Sequence, residues 1–204
     1  MDRHAIRRAR LIDAGLELLG GAGYAATTVR GVCARAQLTP RYFYESFRDL
    51  DELMLAVFDE VAAEAASAVL AASAGAPQDA RGKARAAIGA FVELVAEDPR
   101  RARILFVEAV GSEPLTRRRF ERLRLFADLV AAQGREFYGL REGHDPLMQT
   151  TALTLVGGLA EALLAWLDGS LRTTAEQLVE DCAELFVATG EAAVALARSR
   201  APAL

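Results

Sequence analysis

Four of the chain's six prolines stand directly behind a residue with a capping or acidic side chain: Thr39-Pro40, Asp98-Pro99, Glu113-Pro114 and Asp145-Pro146. Proline has a fixed φ and no N–H, so it can begin a helix but cannot continue one. Each pair therefore marks a helix start and ends whatever precedes it. Between these marks apolar residues recur at helical spacing, and the alternation of β-branched residues that marks a strand is not found. A composition rich in Ala, Leu, Glu and Arg agrees. The expected fold class is all-α, with about nine helices in total.

The punctuation sets the elements. Leu11, Gly15, Leu18, Leu19 and Ala22 share a helical face, and Gly23 follows where a left-handed residue would end the helix, which predicts helix 1 over 3–22. Thr27 or Thr28 caps a short second helix ending near Ala36, with Val29, Val32, Cys33 and Ala36 inward. After Gln37-Leu38, Thr39-Pro40 opens a third helix over 40–47. A long fourth helix begins with acids at Asp49, Asp51 and Glu52 and runs to Gly75-Ala76-Pro77. Further helices are expected near 79–97, 99–112, 114–139, 146–168 and 174–198, with Gly139 and Gly169 as stops.

Two small domains suit 204 residues, and their charges differ. Residues 1–50 hold eight arginines against five acids, net +3, whereas the rest of the chain carries −7. A basic head on an acidic body fits a chain that meets a polyanion at one end. Cys33 and Cys182 are far apart and in no metal or redox spacing, which fits a reducing cytoplasm. The N-terminus lacks the apolar core of a signal peptide, because Arg7, Arg8, Arg10, Asp13 and Glu17 interrupt it. The apolar run 152–167 is broken by Glu161 and is shorter than the roughly 18–20 residues a bilayer needs, so a buried helix and no membrane partner are expected.

Helices 2 and 3, joined by a short turn, have the proportions of a helix-turn-helix, whose second helix enters a major groove. At 100° per residue Phe43 and Phe47 share one face of helix 3, Arg41, Glu45 and Arg48 point nearly opposite, and Tyr44 lies on the flank. Geometry alone leaves an ordinary amphipathic helix with solvated charges equally open. The sequence is more specific. The segment RLIDAGLELLGGAGYAATTVRGVCARAQLTPRYFYESFRDLDELMLAV, Arg10 to Val57, resembles the N-terminal domain of the TetR family of bacterial regulators throughout. The resemblance rests on Ala14-Gly15, Gly23-Tyr24, Thr27-Thr28-Val29, Ala36-x-Leu38-Thr39, Tyr42-Phe43-Tyr44, Phe47 and Leu53.

The resemblance implies that Thr28, Thr39 and Tyr44 grip phosphates while Pro40, Arg41 and Tyr42 approach base edges. Hydroxyls suit phosphate oxygens, and Arg can donate two hydrogen bonds to guanine. The chain departs from the family's pattern in three places. Gln37 stands where glycine is usual, so a residue with a Cβ is expected to take a conformation easier for glycine. Leu50 stands where a phosphate-binding lysine is frequent, so that contact is either lost or shifted to Arg48. Glu45 is either a specificity element accepting from cytosine or a solvated charge. Arg3, His4, Arg7 and Arg8 form a basic N-terminal arm, for the minor groove or phosphates, or solvated. His4 and His144 are the only histidines and have no partner at ligand spacing, so no metal and no cofactor is expected.

In the body, apolar residues surround the helix over 146–168, and the next carries a seam through Leu178, Cys182, Leu185, Phe186, Thr189 and Leu196. Two such helices can form a four-helix interface with their copies. The resemblance, carried here by LTLVGGLAEALLAWLDG, places a homodimer on them, with Leu155, Leu159, Leu163, Leu178, Leu185 and Phe186 at the interface; intramolecular core is the other reading. The middle helices supply apolar bulk for a cavity or a plain core. Phe91, Phe106 and Phe126 are candidate lining, with Glu108, Gln133 and Trp166 as orienting groups.

The expected division is a DNA-binding helix-turn-helix domain over 1–48 and an effector-binding and dimerisation domain over 49–204. The expected function is that of a cytoplasmic regulator, a repressor, which binds palindromic double-stranded operator DNA as a homodimer and is released by a small hydrophobic or aromatic effector of unknown identity. A regulator of the same fold without effector, and an all-α enzyme, are the alternatives. The enzyme lacks any visible catalytic constellation, so none of the residues is read as catalytic.

Overall fold

The computed structural model describes residues 2–108, 113–140 and 146–200. His144 and the end of the helix expected over 99–112 lie outside them. The helices are α1 (Arg3–Gly21), α2 (Val29–Ala36), α3 (Pro40–Ser46), α4 (Leu50–Gly75), α5 (Ala80–Glu97), α6 (Pro99–Ala102), α7 (Glu113–Phe137), α8 (Pro146–Leu167) and α9 (Ala175–Arg200), and no strand occurs among the described residues. The proline pairs behave as read: Pro40 and Pro99 occupy first-turn positions of α3 and α6, and Asp98 caps α6 through a bond from the Arg100 N–H. Gly139 and Gly169 follow α7 and α8 at φ 61° and 80°.

Three details differ from expectation. Helix α1 ends at Gly21, with Ala22 as its cap in an ordinary right-handed conformation. Gly23 does have positive φ, 87°, but its ψ of 171° is extended and not left-handed helical. The helix expected from Pro99 onward is α-helical for only four residues, and Arg103–Val107 continue as a π-helix. In that wider turn the Glu108 N–H bonds the Arg103 carbonyl, five residues back, and the two side chains meet at 2.8 Å, a spacing a regular α-helix does not favour.

The chain packs as two units, Met1–Ala66 with Leu94–Phe120, and Ser67–Glu93 with Glu121–Leu204. In the first, α1 packs on α2, α3 and α6 around fully buried Leu11, Leu19, Val32, Phe43, Leu53 and Val57. Gly15 lets α1 approach α4: a Cβ there would come within 2.8 Å of Val57 Cγ2 and 3.4 Å of Leu53 Cδ2. Asp59 accepts from Arg118 at 2.7 Å and Glu64 from Arg101 at 2.7 Å, so α4 is tied to α7 and to α6. In the second unit, Ala127, Ala131 and Ala152 make a small-residue core between α7 and α8, flanked by Val130 and Val156. Helices α8 and α9 pack together over buried Leu163, Leu178, Cys182 and Ala183. Both cysteines are buried free thiols, and burial pushes both thiols up from their ordinary pKa.

Candidate nucleic-acid interface

The first unit presents α3 as a two-turn helix whose apolar side is anchored in the core. Phe43 and Phe47 are buried and tilted against each other with ring centroids 5.8 Å apart. The opposite side is open. The Arg41 side chain is 85% exposed and Tyr44 is 62% exposed, its ring set edge-on to Phe43 at 5.4 Å. Thr28, Thr39 and Pro40 are exposed as well.

Each side chain has a local reason for its place. Thr28, and not Thr27, caps α2: its Oγ accepts from the Gly31 N–H at 3.1 Å. Thr27 is buried and donates to the Gly23 carbonyl at 2.8 Å, which shapes the bend between α1 and α2. Gln37 ends α2 in the left-handed conformation, φ 54° and ψ 43°, as the missing glycine suggests. From there the Leu38 N–H reaches back to the Cys33 carbonyl at 2.9 Å, the bond pattern that closes a helix before a sharp turn. Thr39 occupies the cap position of α3, but its hydroxyl makes no capping bond. Tyr42, expected beside Arg41 on the reading face, is half-buried beneath the Arg7 guanidinium.

The charges of this surface are mutually paired. Arg41 Nε donates to Glu45 at 3.1 Å, and Arg48 Nε donates to Asp49 at 3.2 Å. Asp49 accepts the Glu52 N–H at 2.9 Å as the cap of α4, and the Glu52 side chain accepts the Arg48 N–H, one residue before Asp49, at 2.7 Å. The Glu52 N–H first, and Arg48 second, hold the Asp49 carboxyl below its ordinary range. Exposed pairs of this kind are worth at most about 1 kcal/mol each, so a phosphate or base edge can displace them at little cost. The basic residues expected as an arm lie within α1, and His4, Arg7, Arg8 and Arg10 turn toward α2 and α3.

The other sequence-derived sites are dispersed. Phe106 and Glu108 belong to the first unit, and Phe91, Phe126, Gln133 and Trp166 to the second. Glu108 is already engaged. It accepts from the Tyr24 N–H and from Arg103 at 2.8 Å each, while Arg103 reaches the Gly21 carbonyl at 2.7 Å. Gln133 is exposed, and Trp166 donates to the Thr173 carbonyl at 3.1 Å, fastening the α8–α9 connection. Of the residues expected between subunits, Leu163 and Leu178 are buried inside the chain, Leu155, Leu159 and Phe186 are half-buried, and Leu185 is 62% exposed. By length and composition α8 could cross a membrane, with 17% of its apolar window buried in the chain; of its large apolar side chains Leu153 is exposed, and the others are half-buried or buried.

A three-helix head that buries one side of a short third helix and bares the other has the arrangement of a helix-turn-helix. Residues 11–57 match the sequence model of bacterial regulatory proteins of the tetR family. The fatty acid degradation regulator FadR from Bacillus halodurans is 18% identical, with 88% of this chain and 94% of that one covered and a TM-score of 0.74. FadR from Bacillus subtilis, solved in complex with stearoyl-CoA, is also 18% identical, covering 89% and 98% with a TM-score of 0.74. A tetR-family transcriptional regulator from Streptomyces coelicolor is 18% identical over 96% and 85%, with a TM-score of 0.75. At these identities the likeness is one of fold. No curated protein sequence matches the chain.

Proposed function

We propose that the chain is a cytoplasmic, homodimeric repressor that reads a pseudo-palindromic operator with α3 and releases it on binding a small hydrophobic or aromatic effector. The observation carrying this reading is the exposed outer side of α3, where Arg41 and Tyr44 stand clear of a helix otherwise anchored by Phe43 and Phe47. Residues 1–48 would do the reading, and residues 49–204 would sense and dimerise. Within this proposal Arg41 donates to a base edge, Thr28, Thr39 and Tyr44 bind phosphate oxygens through their hydroxyls, and Arg48 adds a charged phosphate contact. The effector would lie among the apolar side chains of the second unit, including Phe91, Phe126 and Trp166. Glu108, already satisfied by Tyr24 and Arg103, is a poor orienting group. A relative of the same fold holds an acyl thioester, which fits an apolar effector here.

The test begins with a duplex selected from a randomised pool by the full-length protein, and a scrambled duplex of the same composition. Arg41→Ala should cost about 1–3 kcal/mol on the selected duplex and relax preference at one base pair per half-site. Tyr44→Phe should weaken both duplexes alike and leave the salt slope unchanged, because the lost hydroxyl is neutral. Wild-type affinity in both variants would refute α3 as the reading helix.

A further inference from the structure

In the first turns of α1, His4, Arg7 and Arg8 lie against α3. Arg7 places its guanidinium carbon 4.3 Å from the centroid of the Tyr42 ring, and its Nη2 lies 3.9 Å from a Glu45 carboxylate oxygen. The other Glu45 oxygen accepts Arg41 Nε at 3.1 Å. His4 Nε2 donates to the Glu45 backbone carbonyl at 3.1 Å. That carbonyl lies in the last turn of α3, where the helix has no N–H left to offer it. Arg8 stands 5.0 Å over the Phe47 ring, and Arg10 donates to the Ala36 carbonyl at the end of α2 at 2.6 Å.

A seven-residue helix has no stability of its own, so its direction is set by what it packs against. Phe43 and Phe47 fix one side of α3. The far end and the Tyr42 flank are fixed by His4 and Arg7. A flat guanidinium can stack on a ring and share a carboxylate at once, whereas an ammonium cannot do both. Glu45 then passes the constraint to Arg41, one helical turn back.

We propose that Arg7, with His4 beside it, is a positioning residue for operator reading, acting through Tyr42 and Glu45 and making no phosphate contact. The proposal rests on α3 being the reading helix. Its test uses the selected and scrambled duplexes, the full-length protein and several salt concentrations. Arg7→Lys keeps the charge and loses the stacking plane; Arg7→Met keeps the stem and loses the charge. Both should lose about tenfold on the selected duplex, the size of one half-buried cation–π contact, with scrambled duplex bound as by wild type. Both should relax the same base preference that Tyr42→Ala relaxes, and neither should change the salt slope. In a Tyr42→Ala background, Arg7→Met should add less than its loss in the wild-type background, the Glu45 route alone remaining.

A phosphate contact gives the opposite pattern and would overturn the proposal: Arg7→Lys near wild type, and Arg7→Met weaker on both duplexes with a slope lower by about one. Losses that add in the double variant, or wild-type binding in both Arg7 variants, would overturn it too. If Arg41→Ala and Tyr42→Ala bind the selected duplex as wild type does, the reading-helix assignment itself has failed, and the positioning role with it.

Discussion

Gln37 carries a cost that the sequence declares and the backbone confirms. It is the only described residue other than glycine with positive φ, and an L-residue in that well is strained by roughly 1–2 kcal/mol against the right-handed one. Glycine removes the Cβ penalty but adds freedom to the unfolded chain, so Gln37→Gly should stabilise by about 1 kcal/mol or less. Urea denaturation followed by far-UV circular dichroism measures this, and a destabilised Gln37→Gly would mean that the glutamine side chain holds the turn. The strain was legible because the position could be compared with a motif. Arg7 was legible only as a charge: nothing in its spacing says that it stacks on Tyr42, thirty-five residues away, since that contact depends on the crossing of α1 and α3. Thr39 shows the reverse. Its type predicts a capping hydroxyl, yet the Tyr42 N–H bonds the Thr39 carbonyl at 3.0 Å and no capping bond is made.

At the scale of an element, the short α6 illustrates what a cap can hold. Asp98 accepts from Arg100 through both the backbone N–H, at 3.1 Å, and the guanidinium, at 2.8 Å to each carboxylate oxygen. The Arg100 guanidinium is the chief reason that the Asp98 carboxyl sits below its ordinary range. A carboxylate with a depressed folded pKa contributes stability that is present above its unfolded pKa, about 3.9, and lost as pH falls through the folded value. Denaturation midpoints measured from pH 6 down to pH 2.5 should therefore fall in the acid range for the wild type. Asp98→Asn, which can still cap, should fall less steeply over the same window. An unchanged acid slope would show that the Arg100 pair adds nothing to folding. Helix starts of this kind were readable from Asp-Pro and Thr-Pro pairs. The π-helical turn at Arg103–Val107 was not, because its cause is an Arg103–Glu108 pair completed by the Tyr24 N–H and the Gly21 carbonyl, which meet it only once the chain has folded.

Across the whole molecule, the apolar residues of α8 and α9 have two different fates, and sequence periodicity alone did not separate them. Both helices look apolar enough to face a partner, yet Leu163 is fully buried and Leu178 nearly so within one chain, whereas Leu185 is 62% and Leu196 47% exposed. A seam read from spacing therefore mixes intramolecular core with uncovered surface. Leu185→Glu and Leu163→Glu should part the two roles. At Leu163 an unpaired carboxylate would enter the α8–α9 core, where burial of an uncompensated charge costs several kcal/mol, so loss of cooperative unfolding is expected. At Leu185 the carboxylate would meet water in the isolated chain, with helix content and melting behaviour of the monomer retained. If α9 makes the subunit interface, Leu185→Glu should shift sedimentation from dimer to monomer at micromolar concentration. It should also weaken operator binding by far more than scrambled-duplex binding, because two linked heads are needed to hold both half-sites. A dimer of wild-type affinity in Leu185→Glu would exclude that part of α9 from the interface, and a monomeric wild type would exclude the dimer altogether.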